Sequence, residues 1–187
     1  MTDGTSSDLP PGKTQAPGFG LPEEAYEQVL CLAHCYKREA EKCHLCKAFL
    51  AGCVMLGSAL EALLLAFAAC YPDEASGSPV APRKGQHTKP LLDWTLAELL
   101  AVAKERRWLP SGLSLDDEWD DARARVGDYA EVVREIRNLV HPSRYARDLP
   151  SERLTARYLE SSFEILDAVA GSLLSKIVGD LDGEVRE

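Results

Sequence analysis

Arg134, Arg137, Asn138 and His141 stand at i, i+3, i+4 and i+7 in VVREIRNLVHPSRYARD. At about 100° of rotation per residue, a helix gathers them on one face, roughly 120° from the centre of a Val/Ile stripe. Arg144 and Arg147 extend the positive charge, and Glu135 is the single acid between 134 and 147. A histidine beside guanidinium groups and an amide suits acid/base chemistry on a phosphate ester. The imidazole exchanges protons near neutral pH, and arginines stabilise an anionic transition state. RNA is the natural substrate for such a set, because its 2′-OH supplies an internal nucleophile and no metal is required. The plainer reading of the same residues is structural: Asn138 and His141 cap a helix end before Pro142, while the arginines pair with carboxylates of neighbouring helices.

A second group, Cys31, His34, Cys35, Cys43, His44, Cys46 and Cys53, contains a Cys-x2-Cys half-site at 43–46 of the kind that binds zinc. On a continuous helix Cys31 and Cys46 stand about 22 Å apart at about 1.5 Å per residue, beyond the reach of one tetrahedral ion. Cys31, Cys35, Cys46 and Cys53 also share a helical face with Phe49 and Leu60, which predicts small buried hydrophobes and no metal site. Glu61, inside SALEALLLAF, is costly to bury unless a cation or hydrogen-bond donor meets it, and the motif arginines are the candidates. The carboxylates of 115–121 are read as helix-start electrostatics in preference to a magnesium site. Trp94, Trp108 and Trp119 read as packing anchors.

These residues must be positioned by helices. Prolines leave four Pro-free stretches, 23–71, 91–109, 111–141 and 151–187, each rich in Ala, Leu, Glu and Arg with apolar residues at helical spacing. The first opens on Pro22 with Glu23 and Glu24 behind it, and Gly52 and Gly57 are its candidate breaks. Residues 91–108 place Leu92, Leu96, Leu99, Leu100 and Ala103 on one side. The third stretch starts its helix within 115–119 and has a core stripe of Val126, Tyr129, Val133, Ile136 and Val140. The fourth aligns Leu154, Tyr158, Ser161, Ile165, Ala168 or Val169, and Leu173. The segment 72–90 has turn composition, and no strand is predicted. The expectation is an all-α fold, a helical bundle of four to five main helices over residues 22–180, behind a disordered Gly/Pro/Ser-rich tail at 1–21.

Composition sets the boundary conditions. With 187 residues, 45% hydrophobic and 27% charged, the chain has the make-up of one globular domain. Lys+Arg 21 against Asp+Glu 30 gives a net charge of -9, so any nucleic-acid contact must come from a local patch. There is no run of about 18 uninterrupted apolar residues and no signal-peptide pattern, which predicts a cytoplasmic protein without a membrane partner whose six cysteines are thiols.

Three segments, LGSALEALLLAF, KPLLDWTLAELLAVAKERRWLP and IRNLVHP, together resemble the HEPN superfamily of helical bundles over roughly residues 40–175. That resemblance implies a homodimer with two facing motifs, no cofactor, and either metal-independent endoribonuclease activity in toxin-antitoxin or phage-defence systems or binding of RNA, nucleotide or a protein partner such as an antitoxin. The superfamily signature is an arginine, usually followed by a polar residue, with a histidine after four to six intervening positions near a helix end. Arg134 reaches His141 across six residues but is followed by Glu135. Arg137-Asn138 supplies the arginine-polar pair but lies closer to His141 than the rule. Both arginines stand as candidates, with Arg144 and Arg147 as RNA-binding residues. A non-catalytic helical interaction module is the competing expectation, supported by the acidic charge and the imperfect spacing.

Overall fold

The computed structural model describes residues 19–110, 126–148 and 154–184. The expected helix start at 115–119, the 115–121 carboxylates, Trp119 and residues 1–18 of the expected tail lie outside them. The fold is all-α. Its helices are α1 (Glu23–Leu45), α2 (Phe49–Cys70), α3 (Pro72–Ser76), α4 (Leu96–Glu105), α5 (Val126–Asn138), α6 (Pro142–Asp148) and α7 (Ala156–Glu184). A two-stranded ribbon, β1 (Arg83–Lys84) and β2 (His87–Thr88), interrupts the segment expected to be a loop.

The long first stretch is two helices, and neither glycine divides them. The break falls at Lys47, which adopts φ 58°, while Gly52 and Gly57 lie buried inside α2. A non-glycine residue in the left-handed region costs about 1–2 kcal/mol. Here that conformation lets α1 fold back on α2 through a three-residue connection closed by Ala48 N donating to Cys43 O at 2.8 Å. The glycines serve packing instead. A Cβ on Gly52 would lie 2.8 Å from Leu159 Cδ2 of α7, and one on Gly57 would lie 2.7 Å from Arg137 Cβ of α5. Two small residues on α2 therefore set how closely two other helices approach.

α2 is apolar around its circumference because it touches α1, α3, α4, α5 and α7. Its 22 residues are long and apolar enough to cross a bilayer by length and composition, and packing within the protein uses that apolarity: Leu56, Leu60, Leu64 and Phe67 are all buried. Residues 91–108 are not one helix. Leu91–Asp93 form a 3-10 turn, and Thr95 then starts α4 with a capping box in which Thr95 Oγ1 accepts from Glu98 N and Glu98 Oε2 accepts from Thr95 N at 2.8 Å. The restart turns Leu91 into the core and leaves Leu92 outside, while Leu96, Leu99, Leu100 and Ala103 are buried as expected.

On α5 the inward stripe is Val126, Ala130, Val133 and Ile136, followed by Leu139. Tyr129 faces solvent, and Val140 follows it because the helix ends at Asn138. On α7, Val169 and Leu173 go inward as expected and Tyr158 and Ile165 are half-buried against the core, but the fully buried positions before Val169 are Leu159, Ser162 and Leu166, and Ser161 is outward. Phe19, expected in the disordered tail, is buried edge-on against Trp94 at 5.5 Å. Both Trp94 and Trp108 are buried anchors.

Candidate functional site

The C-terminal half of α5 and the corner into α6 carry every motif residue. Arg137 runs along α2 where Gly57 leaves room, and its Nη2 meets Glu61 Oε2 at 2.8 Å. The other oxygen of Glu61 accepts from Leu96 N, the first amide of α4, at 3.1 Å. Glu61 thus satisfies one guanidinium and one helix-start donor at once, and so meets both kinds of partner that its setting in an apolar run called for. Gly57 and Glu61, one turn apart on α2, form the seat of Arg137. Gly57→Ala is expected to push Arg137 and α5 outward and lower the unfolding free energy by about 1–3 kcal/mol, read as a shifted urea midpoint.

Arg134 is held differently. Its Nε donates to Glu131 Oε2 at 2.7 Å and its Nη2 donates to Glu135. Burial opposes its charge, but the hydrogen bond and charge of Glu131, seconded by Glu135, outweigh it and hold the guanidinium above its ordinary value. Glu131 Oε1 also receives Lys104 Nζ of α4 at 3.1 Å, and Glu135 Oε2 lies 3.7 Å from Arg144 Nη1 of α6. Lys104, Glu131, Arg134, Glu135 and Arg144 form a chain of alternating sign from α4 across α5 to α6. Glu135 was visible in the sequence, but Glu131 was missed in reading this stretch as basic, and its i, i+3 spacing to Arg134 was the signal.

Asn138 ends α5, half-buried, and its main-chain oxygen accepts from His141 N at 3.1 Å. His141 sits where the chain restarts as α6: its oxygen accepts from Tyr145 N at 2.9 Å, and Pro142 occupies the first helical position, where its missing N–H costs nothing. The imidazole is exposed and makes no hydrogen bond or ion pair among the described residues. Tyr145 and Arg147 are exposed beside it in sequence. The structure therefore brings Arg134 and Arg144 together through Glu135 and leads Arg137 away to Glu61. His141 stands open at the corner.

The cysteines do not behave as a group. Cys53 is buried, but Cys31, Cys35, Cys46 and Cys70 are exposed and Cys43 half-exposed, so the expectation that they share a buried face holds for Cys53 alone. α1 is an outer helix that packs chiefly on α2 and fully buries only Val29 and Ala40, which turns Cys31 and Cys35 to solvent. Their Sγ atoms are 4.0 Å apart, and among the described residues no three His, Cys, Asp or Glu side chains converge on a metal position. Burial pushes the Cys53 thiol up, against a smaller opposing hydrogen bond with Ser162. Limited alkylation of the native protein is expected to label Cys31, Cys35, Cys46 and Cys70 and to spare Cys53 until denaturant is added, as mapped by peptide mass spectrometry. Cys70 Sγ also donates to Tyr26 Oη at 3.3 Å, which is the largest cause, ahead of burial, of the Tyr26 hydroxyl being pushed up to about 12.

Comparison with protein-family models, curated proteins and solved structures finds no match to this chain.

Proposed function

We propose that this chain is a cytoplasmic, HEPN-like RNA-binding protein that contacts RNA at the α5–α6 corner and pairs with a second copy so that two corners face one cleft. The observation that carries the reading is the exposed His141 imidazole, open on a helix corner and followed within six residues by Arg144, Tyr145 and Arg147. Arginines bind phosphate, and an exposed tyrosine stacks on unpaired bases. In the catalytic form of the proposal, His141 exchanges the proton of the 2′-OH or of the leaving 5′-oxygen. Arg137 and Arg134 hold the scissile phosphate through N–H groups not already given to glutamate, and Asn138 orients a ligand oxygen. The resemblance in sequence sets the biological context: a toxin or phage-defence effector, with an antitoxin as a further partner.

A specific observation favours a second reading, a non-catalytic protein-interaction module. Both motif arginines are already met by carboxylates, Arg137 by Glu61 and Arg134 by Glu131 and Glu135, and α5 itself, with Asp128, Glu131 and Glu135 against two arginines, carries no net positive charge. The experiment that separates the two is titration of labelled single-stranded RNA with the full chain in excess EDTA at several salt concentrations. The RNA reading predicts a saturable complex that weakens as salt rises. Absence of a complex at low salt transfers the assignment to the interaction module.

A further inference from the structure

Among the described residues, two cations without an ion pair, Arg83 and Lys84, lie close together elsewhere in the fold. From residue 75 to residue 92 the chain contains no Asp or Glu, but it contains Arg83, Lys84, His87 and Lys89. This segment forms the β1–β2 ribbon. Arg83 pairs with Thr88, and Lys84 with His87, around the two-residue connection Gly85-Gln86, where Gly85 adopts φ 68°. A glycine of positive φ at the first turn position is what a tight two-residue hairpin requires. Lys84 and His87, directly opposite across the ladder, share one face. The other face is tied down by Thr88 Oγ1 donating to Ser76 O at 3.4 Å.

The ribbon is held at its base. Lys89 N donates to Pro82 O at 2.9 Å, Lys89 Nζ meets Glu98 Oε1 at 2.6 Å, and Trp94 Nε1 donates to Lys89 O at 3.0 Å. Ala81 is buried just before β1. The tip, Arg83 to His87, is exposed throughout, and neither Arg83 nor Lys84 makes an ion pair among the described residues. A chain of net charge -9 thus presents two exposed cations at the tip of a ribbon held at its base, Lys84 on the face of His87 and Arg83 on the face of Thr88, with the Gln86 amide in the connection between them.

We propose that the β1–β2 ribbon is a second anion-binding element that grips the phosphodiester backbone of RNA, with Arg83 and Lys84 as the phosphate contacts. The inference rests on the RNA reading above and adds to it the element that supplies sequence-independent affinity. Backbone contacts of this kind position a nucleic acid without reading its bases. Uncompensated cations serve them better than arginines already held by glutamate.

The test compares the wild-type full chain with Arg83→Ala/Lys84→Ala and with the charge-keeping Arg83→Lys/Lys84→Arg, using a labelled single-stranded RNA and, separately, phosphatidylserine vesicles. Two lost phosphate contacts are expected to lower the slope of log affinity against log salt by about 1.4. The advantage of wild type over the alanine variant then shrinks about sevenfold between about 0.05 and 0.2 M salt. The charge-keeping variant should match wild type. If wild type binds RNA and the alanine variant binds it with the same affinity and slope, the ribbon assignment is overturned while the RNA reading stands. If wild type binds no RNA, both fall. Vesicle binding lost in the alanine variant, with no RNA binding, would overturn the assignment in favour of a membrane contact.

Discussion

Trp108→Ala is expected to destabilise the protein by about 3–5 kcal/mol, a large share of the about 5–15 kcal/mol that a domain has available. The side chain is 2% exposed, and at the end of α4 it packs against α2 and α3. Arg107, at φ 57°, turns the chain after α4 so that the indole points inward. The ring stands 5.0 Å from Phe67 at 68°, an edge-to-face arrangement, and 6.2 Å from Tyr71. Its Nε1 donates to Glu74 Oε2 of α3 at 2.8 Å, and Glu74 also meets Lys176 of α7 at 3.2 Å. Lys176 in turn lies over the Tyr71 ring at 4.6 Å. Removing the indole empties the junction of α2, α3 and the end of α4 and takes a partner from Glu74, which Lys176 of α7 also holds. Trp108→Phe keeps the ring contacts and loses the donor, so it should cost only about 1–3 kcal/mol. Urea unfolding separates the two variants by their midpoints, provided the slope stays that of wild type.

His141→Ala should leave stability within about 0.5 kcal/mol of wild type, because the imidazole is exposed and no described residue bonds to it. Its effect is expected in chemistry. If His141 moves a proton in RNA cleavage, the variant should cleave labelled RNA about 10²–10⁴-fold more slowly in excess EDTA while binding it within a few-fold of wild type. Wild-type products should end in 2′,3′-cyclic phosphate, the mark of attack by the neighbouring 2′-OH. Equal cleavage by the folded variant would remove His141 from the chemistry, and a variant that lost binding instead would make it a contact residue.

Several features of the fold follow from local chemistry that is visible in the sequence. Pro22 with Glu23 and Glu24 marks a helix start because the ring suits the entry and the acids suit the dipole. Glu61 needs a donor because it stands in an apolar run, and Arg137 answers that need. Other features depend on tertiary contacts that spacing does not carry. A glycine in a helical stretch reads as a break, yet Gly57 is a spacer, since what decides is Arg137 crossing it from α5. The real break uses Lys47, a residue type with no preference for positive φ. α1 has an amphipathic pattern but is covered mainly by α2, so Cys31 and Cys35 are outside, and the break at Lys47 puts Cys53 on a different helix from the face it was expected to share with them. At the candidate site, the spacing placed Arg134, Arg137 and Asn138 together on one helix, but that helix ends at Asn138, so His141 stands beyond the face it was expected to share. The choice of carboxylates that separates the two arginines was not legible, because it depends on the neighbouring helix and on which rotamer each arginine adopts.

The corner assignment is tested most directly by ultraviolet crosslinking of the full chain to single-stranded RNA in EDTA, with the crosslinked peptides sequenced by mass spectrometry. The account predicts nucleotide adducts on the peptide that spans His141 and Tyr145. Adducts confined to other faces, such as the groove between Lys37 of α1 and Asp167 of α7, or no adducts at saturating protein, would contradict it.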